Sequence, residues 1–212
     1  MIKIVSFLTI AILLAFQGCA QKSAGNTEAP TKSDKSVGGP CENCDGIFET
    51  SVPFAQLNEV DTLPDFADEG PRIEISGRIF KSDGKTPAPN VVMYVYHTNQ
   101  DGIYPKRGNE KGHDRYHGYL RGWVRTDENG FYRFFTLRPA SYPNSRALAH
   151  IHAIIKEEGK TRYWIDDFLF ADDPFLDESR LNKNPRGGSG VMKMEAGADG
   201  ISRGTRDIVL LD

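Results

Sequence analysis

The 212-residue sequence is short of cysteine, of basic segments and of long apolar runs, and these shortages narrow the range of possible functions. Its 26 Lys and Arg residues stand against 29 Asp and Glu residues without forming a basic stripe, which argues against nucleic acid as a partner. The one long apolar run, from Ile4 to Phe16, is too short to cross a bilayer comfortably. No stretch keeps a capped helical period, so a helical bundle is not expected.

Residues 1–18 are typical of an export signal. Lys3 supplies a positive charge ahead of the apolar run, and the small residues Gly18 and Cys19 follow it. This ending resembles the lipobox of bacterial lipoproteins, which implies a lipidated Cys19 that anchors an exported protein to a bilayer of the cell envelope, facing the periplasm or the surface. A plain secretory signal with an incidental cysteine is the alternative. Residues 19–40 contain almost no large apolar residue, so we expect a flexible tether there.

With Cys19 assigned to the lipid, two of the three cysteines remain, Cys41 and Cys44. In an oxidising compartment this pair can close a small local disulfide. A redox pair would normally follow a strand and begin a helix, and a zinc site would need two more ligands nearby. We therefore expect a structural clasp, carried by an N-terminal arm at residues 41–70.

Residues 71–212 have the pattern of an all-β domain. Ile73, Ile75 and Ile79 alternate with polar residues, and Val91 to Tyr96 is a strong β run. Three strand pairs are predicted after these: a hairpin of 122–126 with 131–137, a pair 149–156 with 161–170, and a final pair 191–195 with 206–211. Many short strands separated by turn residues predict an antiparallel β-sandwich.

The segment from Thr98 to Leu120 is long, polar and rich in Gly, His, Asp and Arg. Long loops inside a compact domain are usually functional or disordered, and this one carries too many rings for a plain linker, so we expect a site-forming loop. We assign Tyr104 to packing, as we do Tyr132 in a later strand. His113 and His117 would share a face only on a helix, which is not predicted here, and His117 is kept as a substrate-side residue.

The pattern His150-Ile151-His152 falls in a predicted strand. Alternate side chains of a strand point to the same face, so both imidazoles face one way while Ile151 faces the other. Two neighbouring imidazoles are a natural pair of metal ligands, although half-buried polar residues on an ordinary strand give the same pattern. His97, at a strand-to-loop junction, is expected to be structural.

Several motifs precede and include this pair in a fixed order: Asp101-Gly-Ile-Tyr104, His113-Asp-Arg-Tyr116, Arg121-Gly-Trp with Asp127-x-x-Gly130, Tyr142-Pro143 and His150-Ile-His152. In this order they resemble the intradiol ring-cleavage dioxygenases, most closely those of the protocatechuate 3,4-dioxygenase type, over about residues 77–174. The resemblance implies a prealbumin-like sandwich with long site-forming loops. It also implies an enzyme of aromatic compound catabolism that cleaves catechol-type rings with dioxygen, giving muconate-type diacids.

The family's mononuclear non-haem Fe(III) is held by two tyrosinates and two histidines, and the matching positions here are Tyr116, Tyr142, His150 and His152. Phenolate oxygen is a hard anionic donor that suits ferric iron, and an adjacent cation is needed to ionise a phenol at neutral pH. By resemblance, Tyr142 is also catalytic, because it leaves the iron when substrate binds and takes up a substrate proton. The implied partners are a small aromatic diol and dioxygen.

Two further residues carry weaker resemblances. Arg146 lies one residue from the position of a family arginine that packs over the substrate, so it is assigned a catalytic role, with a solvated loop charge as the alternative. Asp167 stands where the family often has glutamine; it would hydrogen-bond a substrate hydroxyl and repel a substrate carboxylate. The interval from Tyr116 to Tyr142 is shorter than in the family, and a helical dimerisation segment is missing. Native substrate and oligomeric state are left open.

Two alternatives remain to the iron enzyme. The strand and turn pattern also resembles prealbumin-like sandwiches that act as non-catalytic binding modules, although those lack the second tyrosine and the histidine pair together. The second alternative is a cage for zinc or copper, since imidazoles accept either metal and only the phenolate ligands argue against them.

Overall fold

The computed structural model describes residues 34–212. The predicted signal segment 1–18, Cys19 and the first part of the predicted tether therefore lie outside the described residues. Among the residues that are described, none of the helices has the length and apolar character needed to cross a bilayer.

Residues 34–212 form two β-sheets of eleven strands in all, and the one α-helix among them is a single turn, α1, at Asp114–His117. The strands are β1 Val60–Thr62, β2 Arg72–Phe80, β3 Val92–His97, β4 Arg121–Arg125, β5 Phe131–Leu137, β6 His150–Lys156, β7 Tyr163–Phe170, β8 Val191–Met192, β9 Glu195–Ala196, β10 Ser202–Thr205 and β11 Ile208–Val209. Short 3-10 helices lie at Cys44–Glu49, Phe54–Gln56 and Glu178–Arg180.

The two sheets pack face to face around the main core. The first sheet has the order β1-β5-β2-β10-β9, with β11 pairing along β2, and the second has the order β4-β3-β6-β7-β8. Alternate residues of β2 and β6 point into the space between them, where Ile75 and Ile151 are both 0% exposed. The predicted all-β sandwich is confirmed. The central pairings are antiparallel, whereas β1, β8, β10 and β11 each make a parallel pairing.

The predicted strand partners are wrong in two places. β4 pairs with β3 in the second sheet and β5 pairs with β2 in the first, so the turn between them carries the chain from sheet to sheet and closes no hairpin. At the C-terminus, β8 joins β7 and β11 joins β2, so the two final segments do not pair with each other. An alternating pattern reports which residues are buried, and that burial is the same whichever strand lies alongside.

The N-terminal part of the described chain is built into the domain. Lys35 forms a main-chain bridge with Lys160, and Val37 is buried in the core, so the predicted end of the flexible tether at residue 40 is wrong. Cys41 and Cys44 form a disulfide with Cα atoms 5.6 Å apart. The predicted arm then contributes β1 to the edge of the first sheet.

Candidate metal centre

The two histidines of β6 present their rings on the same side of the strand, because they are two residues apart. Ile151, between them, points into the core and is 0% exposed. The Nε2 atoms of His150 and His152 lie 3.1 Å apart. The strand therefore directs two imidazole nitrogens at one point.

An irregularity in the sheet places a carboxylate behind His152. The pairing of β6 with β7 shifts register around this residue, so that Asp166 and Asp167 of β7 lie opposite it. Bulges of this kind re-aim side chains and are frequent beside active sites. Here the bulge brings Oδ1 of Asp167 to 2.9 Å from Nδ1 of His152.

The two loops that approach the histidine pair are held tightly together. Gly102 has φ +74°, and a Cβ added there would lie 2.0 Å from the carbonyl oxygen of Ser141, so glycine is needed for this approach. The Thr98 hydroxyl also donates a hydrogen bond to the main-chain oxygen of residue 140. These contacts fix Tyr104, two residues after the glycine, against Tyr142, which follows the serine.

The hydroxyls of Tyr104 and Tyr142 complete a group of four possible ligand atoms, which we call the donor cluster. The two Oη atoms are 2.7 Å apart. Tyr104 Oη lies 2.8 Å from Nε2 of His152, and Tyr142 Oη lies 3.2 Å from Nε2 of His150. The four side chains come from two loops and one strand, and their polar atoms converge on a single small volume.

Hydrogen bonds at the far side of each ring fix the proton positions. Nδ1 of His150 lies 2.6 Å from the main-chain oxygen of Leu148, and Nδ1 of His152 faces the Asp167 carboxylate. Both of these oxygens only accept hydrogen bonds, so each Nδ1 carries a proton, and the tautomer that this fixes points the Nε2 lone pair inward. Two lone pairs facing each other at 3.1 Å repel unless a cation or a proton lies between them, so the donor cluster fits a shared metal ion.

A second possible ligand set overlaps the first. His150, His152 and Asp167 offer three ligand atoms that lie within 4.8 Å of one another. However, the carboxylate contacts Nδ1 of His152, whereas the hydroxyls of Tyr104 and Tyr142 lie on the Nε2 side of the pair. Asp167 is therefore better placed to orient His152 than to bind the same ion.

Burial sets the ionisation states around the cluster. Burial, and then the Tyr142 hydroxyl, raises the pKa of Tyr104 above its ordinary value, so this phenol stays neutral unless a cation adjoins it. Burial, and then the neighbouring His152, lowers the pKa of His150 and keeps its ring neutral. Burial alone would raise the pKa of Asp167, but the hydrogen bond with His152 and the positive charge that the two histidines can carry hold it below its ordinary value. Neutral imidazole with an ionised outer carboxylate is the state in which histidine binds metals.

Tyr116, the predicted first tyrosine ligand, does not belong to the donor cluster. It lies on α1 and is 60% exposed. The hydroxyl that meets Tyr142 and His152 is that of Tyr104, which the sequence analysis assigned to packing, so this prediction is corrected. The sequence held a signal for the right residue: the interval from Tyr116 was too short for the family, and counting from Tyr104 lengthens it to 38 residues.

The catalytic role assigned to Arg146 stays a prediction. The residue is exposed, and its guanidinium lies 5.1 Å from the centre of the Phe175 ring. It belongs to the exposed turn that follows Tyr142, and that turn directs it to a neighbouring loop.

The ring of Tyr96 separates His117 from the donor cluster. α1 gives His113 and His117 the shared face that the loop was not expected to provide, with ring centres 5.7 Å apart. The His117 ring stacks on Tyr96 at 3.7 Å, and Tyr96 stacks on His152 at 4.6 Å. Burial, and then the charges of His113 and Arg121, lowers the pKa of His117 to about 3, so the stacked ring is neutral.

A cavity of about 450 Å³ opens beside His152, within the size range of small-molecule sites. Tyr96, Trp164 and Asp167 are among its lining residues. Asp167 thus borders the cavity, but its Oδ1 is engaged with His152, so the predicted hydrogen bond to a substrate hydroxyl has a competitor within the protein.

Comparison with known proteins identifies a family for this chain. The sequence model of a family described as Dioxygenase matches residues 50–183, more than half of the chain. The chain is 30% identical over 132 residues to catechol 1,2-dioxygenase of Acinetobacter baylyi, covering 48% of this chain and 40% of that protein. It is 29% identical over 113 residues to the protocatechuate 3,4-dioxygenase beta chain of Burkholderia cepacia, covering 50% of this chain and 48% of the relative. The chain therefore spans half or less of the length of these curated relatives.

Solved structures share the sandwich. The dioxygenase domain of a dioxygenase and carbohydrate-binding protein fusion from Streptomyces sp. SirexAA-E superimposes with a TM-score of 0.53 at 19% identity, covering 71% of this chain and 88% of that domain. At this identity the likeness supports the fold.

Proposed function

The chain belongs to the intradiol ring-cleavage dioxygenase family, and from that premise we propose that it is an Fe(III)-dependent enzyme that opens catechol-type rings with dioxygen. The observation that carries this proposal is the donor cluster, in which two phenol oxygens and two bare imidazole nitrogens meet at 2.7–3.2 Å. A non-catalytic sandwich module would need no such arrangement.

Tyr104, Tyr142, His150 and His152 would hold the ion. Two phenolates are hard anionic donors, so this set favours a ferric over a ferrous ion, and imidazoles complete the coordination without adding charge. When bound, ferric iron supplies the Lewis acidity that holds an aromatic diol as its catecholate and makes the ring reactive toward dioxygen. Asp167 and the Leu148 carbonyl keep both imidazoles in the tautomer that points Nε2 inward.

Tyr142 is the residue to which we assign proton uptake from the substrate. Its Oη lies 2.7 Å from Oη of Tyr104 and 3.2 Å from Nε2 of His150. A proton accepted there from a diol hydroxyl stays within hydrogen-bond reach of both partners. Tyr142 is half-buried and lies next to the exposed Pro143.

The cavity beside His152 is the place we assign to the substrate ring. It adjoins the donor cluster through His152 and is walled on one side by Tyr96, which stacks on that histidine. Its volume of about 450 Å³ leaves room for a substituted aromatic diol.

The proposal is tested by loading the purified protein with Fe(III), and in parallel samples with zinc or copper. We expect roughly one iron per chain and a broad visible band from tyrosinate-to-iron charge transfer, which shifts when catechol is added under nitrogen. Under labelled dioxygen, both oxygen atoms should appear in a ring-opened diacid product. A protein that stays colourless with ferric iron, or that binds zinc or copper in its place, would overturn the proposal.

We further propose that the protein is exported and anchored to the cell envelope through a lipid on Cys19. The support is the lipobox-like ending of the predicted signal segment. Expression in a bacterial host with the intact N-terminus should place the protein in the membrane fraction with an acylated N-terminal peptide, and Cys19→Ala should release it. Retention of the Cys19→Ala protein in the membrane would contradict the lipid anchor.

A further inference from the structure

The cavity beside His152 is lined by negatively charged residues. Three carboxylate residues line it, Glu42, Asp166 and Asp167, and none of the lining residues that the structure describes is Lys or Arg. The three residues come from two separate places in the chain, the disulfide loop and β7, and all three line the cavity that we assign to the substrate ring.

Part of this charge is engaged within the protein. Asp167 binds Nδ1 of His152, while Asp166 accepts a hydrogen bond of 3.0 Å from the neutral Asn182 side chain, which leaves the charge of Asp166 in place. Glu42 is exposed at the rim.

Two guanidinium groups lie near the carboxylates but outside the lining. Arg186 lies 3.6 Å from the centre of the Trp164 ring, and Arg206 lies 4.5 Å from the centre of the Phe168 ring. Both lower the local negative potential, but neither is among the described residues that line the cavity, whereas the three carboxylate residues are.

The aromatic walls of the cavity are already engaged within the protein. Tyr96 stacks on both His117 and His152, and the Arg186 guanidinium lies over the Trp164 ring. The carboxylates therefore set the charge preference: a positively charged substituent would meet opposite charge, and a carboxylate substituent would meet like charge.

We propose that this cavity selects its aromatic diol by substituent charge, accepting catechols that are uncharged or carry an ammonium group and rejecting catechols that carry a carboxylate. The inference rests on the proposed ring-cleaving function and adds the substrate class. It separates this chain from the protocatechuate-named relative, since protocatechuate carries a ring carboxylate. Complementary charge discriminates between ligands mainly by penalising the wrong one.

The test compares three probes on the full chain loaded with Fe(III): catechol, 3,4-dihydroxybenzoate and 3,4-dihydroxyphenethylamine. Binding is followed under nitrogen by the shift of the visible band, and turnover by oxygen uptake. We expect the carboxylated probe to bind at least ~100-fold more weakly than catechol, and the amine about 10-fold more tightly, with both differences shrinking as salt is raised.

Variants that remove a negative charge from the cavity test which residues set the preference between the probes. Glu42→Gln and Asp166→Asn, alone and together, should lower the preference for amine over carboxylate by about 10-fold, measured as a ratio so that any change in overall activity cancels. Glu128→Gln, in the exposed turn between β4 and β5, is the matched control and should leave the ratio unchanged.

The outcomes separate the two proposals. A protein that cleaves catechol but accepts 3,4-dihydroxybenzoate equally well, or whose preference survives both variants, would overturn the charge selection and leave the ring-cleaving function standing. A protein that binds no iron and opens none of the three rings would overturn both.

Discussion

Two histidine environments in the second sheet differ in one respect that separates a structural residue from a ligand. His97, at the end of β3, is 0% exposed; its Nδ1 lies 2.8 Å from the Thr98 carbonyl oxygen and its Nε2 lies 2.7 Å from the Thr136 hydroxyl. His152, on the adjacent strand β6, also has a neighbour at each nitrogen, but its Nε2 faces the Tyr104 hydroxyl and Nε2 of His150, which are both possible metal ligands. His97 is the more deeply buried of the two, but the partner of Nε2 is what separates their roles: a threonine hydroxyl for His97 and possible metal ligands for His152.

The largest expected effect comes from substituting each of these two histidines by alanine in a separate variant. His152→Ala should abolish iron binding, with a loss of more than about 100-fold in affinity, because it removes one donor and exposes the site to water. His97→Ala should retain iron but lower the free energy of unfolding by about 2 kcal/mol, since Thr136 and the Thr98 carbonyl lose a buried partner. Metal analysis and denaturant unfolding check the two halves. Loss of iron from both variants would show that the partner of Nε2 does not separate a structural histidine from a metal ligand.

The tyrosines allow the same comparison with a milder change. Tyr104→Phe deletes one hydroxyl of the donor cluster and should remove most of the visible band and reduce turnover by about 100-fold. Tyr116→Phe deletes an exposed hydroxyl on α1 and should change neither by more than about twofold. The two proteins differ from the parent by a single oxygen each. If Tyr116→Phe bleaches the protein and Tyr104→Phe does not, the corrected assignment fails.

A smaller effect is expected behind the donor cluster. Asp167→Asn keeps the shape of the residue but removes the charge that faces Nδ1 of His152, and outer-sphere changes of this kind lower metal affinity by about 10–100-fold. The visible band should also move, because the basicity of the imidazole changes. Asp172→Asn breaks the exposed ion pair with Arg138 and serves as the control. Identical affinities in the two variants would show that the carboxylate does not tune the site.

The effect that is smallest at neutral pH, and that grows only as the pH falls, is on stability and concerns His117. Its pKa is lowered to about 3 in the folded protein, so between the ordinary value of 6.5 and about 3 the unfolded chain binds a proton that the folded chain does not. Stability therefore falls as the pH falls through that window, by up to about 1.4 kcal/mol per pH unit. His117→Gln should flatten the decline in the melting temperature of the metal-free protein between about pH 7 and pH 4. An unchanged decline would assign acid sensitivity to other groups.

Much of the fold could be predicted from the sequence, because alternation and β-rich runs report burial directly. Alternating or β-rich apolar residues, such as Ile73 and Ile75 in β2, predicted the strands β2, β3, β6 and β7. The short turn at Gly159 predicted the pairing of β6 with β7. The partners of β4 and β5 could not be predicted, since the turn between them is compatible with a hairpin or with a crossing between sheets.

The donor cluster was predictable in three of its four residues. The resemblance to the intradiol family predicted Tyr142, and strand alternation together with that resemblance predicted His150 and His152. Tyr104 depends on a long-range contact, because its loop reaches the cluster only through the close approach of Gly102 to Ser141. No local pattern encodes that approach, and Tyr116, in a more conspicuous motif, was chosen in its place.

The entry of the chain into the domain has a mechanical consequence. Lys35 bridges to Lys160, and Asp34 pairs with Lys156 at 3.3 Å, so the upstream chain is fastened where β6 ends. The donor histidines lie where β6 begins, about 13–20 Å away along the strand. Any pull transmitted through the upstream chain would be carried by that far corner of the sandwich and would leave the spacing of the four donors undisturbed.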